Sequence, residues 1–258
     1  MIVVAGEALI DLVIRPDGSV TAALGGGPFN VARTIARLGG DAAFLGAISD
    51  DRFGSMLADR LASDGVSLAA APRVSNPTTL AAAELDDHGS ATYRFYLTDT
   101  SAPAPAGVPA AGASAAPVPA APLGRVLEPM ATTLVAHLHR LADDVLVMTD
   151  PNCRARVIPD RTAYLARLDG VYDRTHVVKI STDDAEYLAP DVDPVDLARA
   201  LVGRGVRVAP VTAGKDATYV VTPHDVTALP TPTVQVADTI GAGDSFCGGF
   251  LGSPGELP

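Results

Sequence analysis

Residues 238–246 of the chain read Asp-Thr-Ile-Gly-Ala-Gly-Asp-Ser-Phe, and Cys-Gly-Gly-Phe follows at 247–250. The small residues Gly241, Ala242 and Gly243 allow the backbone of a turn to approach a ligand closely. If a helix begins near Asp244, the N–H groups of its first turn point at one spot, where the helix dipole adds positive potential. The stretch therefore predicts an anion-binding turn that needs no basic side chain.

Asp244 stands at the start of the same predicted helix. A carboxylate in a region of positive potential stays ionised, and it can take a proton from a hydroxyl group while that oxygen attacks phosphorus. We therefore interpret Asp244 as a general base. The alternative is a glycine-rich turn in which Asp244 merely caps the helix, and the residues of the turn alone do not decide between the two.

Most of the chain alternates short apolar runs with helical patterns. A glycine cluster at 25–27 leads into a helical pattern over 28–38, with a proline at its first position and apolar residues on one face. A second amphipathic helix is predicted from 53 to about 65. Strand-like runs lie at 2–5, 42–48, 145–149, 177–180 and 206–211. This alternation predicts a doubly wound, mainly parallel α/β sheet flanked by helices.

Two β-prone parts of the chain do not fit this alternation. They are residues 9–13 and 80–97, and the second contains a turn at 86–89 between two strand-like runs. That arrangement is typical of a hairpin. We predict that segments of about 9–24 and 72–98 form a small β-sheet, a lid appended to the main domain.

Residues 101–124 have an unusual composition. They include six prolines and ten alanines and no charged residue. We predict a flexible loop or linker here. A buried strand is not expected, because proline removes the N–H donors that a strand needs.

Composition limits the class of protein. The 258 residues suffice for one large α/β domain, and the formal net charge of −11 argues against nucleic acid as a partner. No apolar run approaches the roughly 18 residues of a membrane-spanning helix, and the start has no signal-peptide pattern. The two cysteines give neither a disulfide framework nor a metal spacing. We expect a cytoplasmic protein without a membrane partner.

Two common nucleotide-binding patterns do not occur in the sequence. The first βα turn has no G-x-G-x-x-G, which counts against a dinucleotide oxidoreductase. No G-x-x-x-x-G-K-[ST] occurs either, so any nucleotide is not held by a P-loop.

Two segments together resemble one known family. Residues 238–244 are similar to the D-T-x-G-A-G-D signature of the ribokinase-like (PfkB) carbohydrate kinases. Residues 25–32, GGGPFNVA, are similar to the glycine-rich motif near the N-terminus of the same family. The motifs stand in the family's order, more than 200 residues apart. The resemblance covers residues 1 to about 100 and 126–251, and it favours Asp244 as the general base.

The resemblance implies a sugar site at the first motif. In the family its glycines and its asparagine contact the sugar, which implies that role for Gly26, Gly27 and Asn30. Asp11 falls where relatives hold sugar hydroxyls, and a short carboxylate can accept two hydrogen bonds from vicinal hydroxyls. A turn-capping role remains the alternative for Asp11.

Residues 150–154, DPNCR, resemble a D-P-N-x-R segment found especially in the fructokinase and 2-keto-3-deoxygluconate kinase branches. This implies that Arg154 lies near a sugar or phosphate oxygen. An exposed Arg154 without such a role is the alternative.

Nucleotide and metal positions follow from three further segments. Ser181 and Asp184 fall where the family carries N-x-x-E, and although the shorter Asp reaches less far, a carboxylate there can still organise Mg²⁺ waters. Thr212 and Gly214 lie in a segment similar to the one that lines the ATP phosphates. Asp238 lies where relatives place a monovalent cation, which implies K⁺.

Together these resemblances imply ATP-dependent phosphorylation of a primary hydroxyl of a small sugar such as fructose. Mg²⁺ would bridge the phosphates, and the N–H groups of the 241–243 turn would stabilise the transferred group. One alternative is a sugar-binding or regulatory protein with an incomplete ATP site, since the chain looks C-terminally shortened relative to the family. Another is a 2-keto-3-deoxygluconate kinase or another sugar or nucleoside kinase. A homodimer is one open possibility for the assembly.

Overall fold

A computed structural model describes residues 1–86, 91–104, 117–119, 127–153, 155–158, 160–236, 239 and 241–252. The helices of these residues are α1 (Gly27–Arg37), α2 (Arg52–Ser63), α3 (Met130–Leu138), α4 (Arg161–Tyr172), α5 (Thr182–Leu188), α6 (Pro194–Gly203) and α7 (Ala242–Gly252). The strands are β1 (Ile2–Ala5), β2 (Leu9–Ile14), β3 (Val20–Gly25), β4 (Ala42–Leu45), β5 (Ile48–Ser49), β6 (Arg73–Val74), β7 (Leu80–Leu85), β8 (Ala91–Tyr96), β9 (Pro117–Pro119), β10 (Met148–Thr149), β11 (Val177–Val178), β12 (Ile180–Ser181), β13 (Ala209–Thr212), β14 (Ala217–Val221) and β15 (Val226–Pro230).

The main layer is built from parallel strand pairs. β1 pairs in parallel with β4 on one side and with β9 on the other. The pairs β10–β11 and β12–β13 are also parallel, and a bridge from Val177 to Val208 joins them. β14 and β15 then extend this layer as antiparallel strands at its edge. The prediction of a doubly wound, mainly parallel sheet is confirmed.

Helices cover both faces of this layer, because successive side chains of a strand point to opposite sides. On one face Val4 of β1 belongs to a buried cluster with residues of α1 and α2, among them Ile35 and Leu57. On the other face Val3 of β1 packs with Met130 of α3. The core therefore lies in two layers on either side of the sheet.

A second, four-stranded sheet has the order β3-β2-β7-β8. β2 pairs with β3, and β7 with β8, in antiparallel fashion, while β2 and β7 are parallel neighbours. The predicted hairpin is thus confirmed, although its turn residues 87–90 lie outside the described residues. Pairing of β2 with β7 joins the two predicted segments into one small sheet, and its movement as a lid stays a prediction.

The prediction of a loop or linker over 101–124 was wrong at one point. Pro117–Pro119 forms β9 and pairs with β1. The two prolines are two positions apart, so the N–H groups that they lack belong to the same side of the strand. Val118 keeps its N–H on the opposite side, which is how a proline-containing segment can still pair. Residues 105–116 and 120–126 lie outside the described residues.

Among the residues that the structure describes, no helix combines the length and the apolar character needed to cross a lipid bilayer.

Candidate active site

Helices α1 and α7 pack against each other and bring the two glycine-containing motifs together. Val31 and Ile35 of α1 share one buried cluster with Cys247 of α7. The close approach depends on Gly248, since a Cβ atom there would lie 2.5 Å from the Cβ atom of Thr34. A contact of that length is far below ordinary van der Waals separation, so only glycine fits at this crossing.

The packing places Asn30 next to Asp244. The Nδ2 atom of Asn30 donates a hydrogen bond to Oδ2 of Asp244 at 2.9 Å. Asn30 stands in the first turn of α1, which begins after Gly26 at a φ of 106°. A Cβ atom on Gly26 would lie 2.7 Å from the carbonyl oxygen of Glu7, so this turn requires glycine. The amide of Asn30 thus orients the carboxylate predicted to be the base.

Asp11 faces the same space from β2. Its Oδ2 atom lies 2.0 Å from where a Cβ atom on Gly25 would stand, which places it beside the turn into α1. Burial, and secondarily the charge of Asp244, raises the pKa of Asp11 to about 6. Two neighbouring carboxylates repel each other, and hydroxyl groups that donate to both relieve that repulsion. The geometry therefore suits a ligand rich in hydroxyls.

A tight turn leads into α7 where the anion-binding turn is predicted, and its binding of an anion stays a prediction. Gly241 has a φ of 74°, a left-handed conformation that favours glycine. Ala242 donates its N–H to the carbonyl of Thr239 at 3.3 Å. Within the described residues the N–H groups of Gly241 and Gly243 have no acceptor. The structure therefore favours these two as the donors toward an anion, more than Ala242.

Ser181 and Thr212 lie side by side at the carboxyl ends of two parallel strands. They are direct partners in the pairing of β12 with β13, and Gly214 follows in the next turn. The carboxyl ends of parallel strands are where ligands bind in open α/β sheets. The structure thus brings the predicted nucleotide residues to one edge of the sheet.

Asp184 is engaged as a helix cap. Its Oδ2 atom accepts from the N–H of Ser181 at 2.9 Å and from the hydroxyl of Ser181 at 2.5 Å. Its Oδ1 atom accepts from the N–H of Cys153 at 2.5 Å, and the residue is buried. This capping box satisfies the first turn of α5, and its spacing was readable in the sequence. An indirect role in placing Mg²⁺ stays a prediction.

Arg154 and Asp238 lie outside the described residues, so their predicted contacts with a sugar or phosphate oxygen and with a cation remain predictions.

Lys179 was not predicted as a site residue, and the structure places it beneath the anion-binding turn. Its Nζ atom lies 3.0 Å from Oδ2 of Asp150, and both residues are buried. The sequence contains an indication of this ion pair. A lysine inside the apolar run at 177–180 needs an acidic partner if that run is a buried strand.

We expect Asp11→Asn to stabilise the protein without sugar at pH 7 and to weaken sugar binding. Folding raises the pKa of Asp11 from 3.8 to about 6. The contribution of Asp11 to the free energy of unfolding is therefore fully present below about pH 4 and is lost as the pH rises through about 6. A buried ionised carboxylate lowers the free energy of unfolding, by up to about 3 kcal/mol at pH 7 and by little at pH 4. The neutral amide of asparagine avoids this loss. Asparagine offers one acceptor oxygen where the carboxylate of Asp11 offers two, so sugar binding should weaken by roughly tenfold or more.

Urea unfolding at pH 4 and pH 7, with sugar titration by calorimetry, tests both parts. The matched control is Asp17→Asn, in the turn between β2 and β3, where hydrogen bonds from Ser19 lower the pKa of an exposed carboxyl. This variant should not gain stability. Unchanged stability of Asp11→Asn at pH 7 would show that Asp11 is well hydrated.

Solved structures share the fold. The chain superimposes with a TM-score of 0.83 on the fructokinase from Vibrio cholerae O395 in apo form, at 26% identity over 98% of this chain and 88% of that one. The fructokinase from Xylella fastidiosa with bound ATP gives a TM-score of 0.84 at 27% identity, over 97% and 80% of the two chains. Together with the site, this similarity defines a ribokinase-like kinase of small molecules.

Sequence comparison identifies the family. The profile of the pfkB family carbohydrate kinases matches residues 1–253. The fructokinase from Rhizobium leguminosarum bv. trifolii is 30% identical over 98% of this chain and 79% of its own length. The chain therefore belongs to the pfkB family of carbohydrate kinases.

Proposed function

We propose that the protein transfers the γ-phosphoryl group of ATP to a primary hydroxyl of a small sugar, with fructose as the preferred acceptor. The observation that carries the proposal is the hydrogen bond from Asn30 to Asp244. It joins the motif that resembles a sugar site to the start of the anion-binding turn. The fructokinases among the relatives support fructose as the acceptor and ATP as the donor.

In the proposed reaction Asp244 accepts the proton of the sugar hydroxyl as that oxygen forms a bond to the γ-phosphorus. The bond from this phosphorus to the β,γ-bridging oxygen breaks, and ADP leaves with the electron pair. The N–H groups of Gly241 and Gly243, with the dipole of α7, stabilise the charge on the transferred group. Asn30 holds the carboxylate in the orientation that proton transfer needs.

The sugar would lie between Asp11, the start of α1 and Asp244. Gly26 and Gly27 allow the backbone there to approach it closely. The composition supports a sugar over a nucleoside, because only 5% of the residues are aromatic and none is Trp, so stacking surfaces are scarce. Closure of the second sheet over the sugar would exclude water, which competes as an acceptor.

The ATP phosphates would run from the anion-binding turn toward Ser181, Thr212 and Gly214. In the described ranges, no three or more His, Cys, Asp or Glu side chains are grouped so that they could hold a metal ion. This fits a Mg²⁺ ion whose ligands are mainly phosphate oxygens and water, with Asp184 contributing at most through water. The bound ion would neutralise phosphate charge. We also propose K⁺ as the monovalent cation near Asp238.

A panel of acceptors tests the substrate. In a coupled assay of ADP release, fructose should give a kcat/KM at least about tenfold above those of 2-keto-3-deoxygluconate and adenosine, since misplaced hydroxyls leave polar groups of the site unpaired. Protein carrying Asp244→Asn, purified in the same way, controls for contaminating kinases. A clear preference for adenosine would reject the acceptor class, and a preference for the keto-acid would move the protein to the neighbouring branch.

A further inference from the structure

Lys179 carries a buried positive charge close to the candidate active site. It stands between β11 and β12 and is 4% exposed. Burial by itself lowers the pKa of Lys179, but the charge of Asp150 and a weaker contribution from Asp184 outweigh it, so the pKa is raised. The side chain is therefore an ammonium ion throughout the physiological pH range.

The ion pair is a dipole with a defined direction. At its negative end, Oδ1 of Asp150 accepts from the N–H of Asn152 at 2.9 Å. At its positive end, Nζ of Lys179 lies 3.3 Å from where a Cβ atom on Gly243 would stand. The ammonium thus packs against the backbone of the anion-binding turn, at the residue whose N–H is one of its two open donors.

Cys247 is a second ionisable group beside Asp150, next to Lys179. It lies four residues after Gly243, on the same side of α7, and its Sγ atom is 3.6 Å from Oδ2 of Asp150. Burial first, and then the charge of Asp150, raises the pKa of Cys247 well above its ordinary value. Cys247 therefore stays a neutral thiol that donates to Asp150, and Lys179 is the cation at this position.

We propose that Lys179 is a positioning residue for phosphoryl transfer: its buried ammonium supports the turn at Gly243 from below and adds positive potential where the transferred group binds. Asp150 holds the ammonium in a dry site, where a charge acts more strongly than in water. The proposal rests on the proposed function. In this proposal the positive potential at the turn comes from Lys179 of the sheet beneath it as well as from the dipole of α7.

The first test compares Lys179→Met with the double variant Lys179→Met/Asp150→Asn. The single variant removes the Lys179 charge from beside the buried carboxylate of Asp150 and should be markedly destabilised. The double variant removes both charges and should recover much of the thermal midpoint. Its kcat should stay lower by about tenfold or more, with little change in sugar KM. Recovery of the wild-type kcat together with stability would reduce Lys179 to a structural role and overturn the proposal.

The matched control is Arg33→Met/Asp64→Asn. This pair is also partly buried, with Nε of Arg33 2.6 Å from Oδ2 of Asp64, and it joins α1 to the end of α2. Its removal should change stability and leave kcat within about twofold of wild type, because among the described contacts neither side chain forms a hydrogen bond or ion pair with residues 241–244. An equal loss of kcat in the control would show that any lost ion pair slows the enzyme, which also overturns the proposal.

A binding measurement separates this inference from the proposed function. Calorimetry with pyrophosphate should show affinity reduced about tenfold both in Lys179→Met and in Lys179→Met/Asp150→Asn, because both variants lack the ammonium. A purely structural pair predicts that the double variant, which recovers stability, also recovers affinity, and that outcome would refute the inference. If the variants show this pattern of pyrophosphate binding but the wild-type protein phosphorylates no sugar, only the proposed function is refuted.

Discussion

Asp244→Asn is expected to lower kcat by at least about 100-fold while sugar affinity changes little, the usual scale for loss of a general base. Asparagine keeps the shape of the side chain and its place in the first turn of α7, and its carbonyl oxygen can still accept from Asn30. What it lacks is the ability to accept the proton of the attacking hydroxyl. Coupled ADP release gives kcat, and calorimetry with fructose gives affinity.

The matched control is Asp183→Asn. Asp183 is also an acidic residue in the first turn of a helix, here α5, but it is exposed. Its change should leave kcat within about twofold, since it removes only a screened surface charge. If Asp244→Asn keeps near-normal turnover, another group takes the proton and Asp244 is a helix cap, as the glycine-rich turn alone would allow.

The second large effect is expected at the crossing of α1 and α7. Gly248→Ala places a Cβ atom 2.5 Å from Cβ of Thr34 and 3.1 Å from the carbonyl oxygen of Val31. Neither partner can move without shifting α1, so we expect a loss of about 1–3 kcal/mol in the free energy of unfolding. The same shift separates Asn30 from Asp244, and kcat should fall as well. Urea unfolding and the coupled assay measure the two effects.

Gly249→Ala is the control at the neighbouring position. A Cβ atom there would have no atom of the described residues within 4 Å. Because alanine favours helix over glycine, this variant should be unchanged or more stable by up to about 1 kcal/mol. Similar losses in both variants would indicate that α7 is sensitive to any change and that the contact with Thr34 is not decisive.

Local patterns in the sequence predicted most of the fold. The glycine cluster and Pro28 predicted α1, and the turn at 86–89 predicted the hairpin of β7 and β8, because both depend on neighbours in the chain. β9 was not predicted, because its pairing with β1 is a tertiary contact that overrides the local rule against proline.

The candidate site was predictable in part. The anion-binding turn followed from three small residues before a helix. The contact of Asn30 with Asp244 was not predicted, because it depends on how two distant helices pack; the family resemblance implied only that both residues act on the sugar. Asp184 was interpreted as a metal residue although its spacing from Ser181 also fits a helix cap, and the structure shows that cap. Lys179 was missed because the charge was taken as part of an apolar strand.

The pairing of α1 with α7 also determines when the protein becomes functional during its synthesis. The two helices are more than 200 residues apart, so α1 emerges from the ribosome long before the helix that covers one of its faces. Until residues 242–252 are made, a nascent chain exposes apolar side chains such as Ile35 and lacks Asp244 altogether. Contacts of such long sequence separation form late and leave intermediates prone to aggregation. We therefore expect interrupted chains to be inactive and to present chaperones and proteases with an exposed apolar surface.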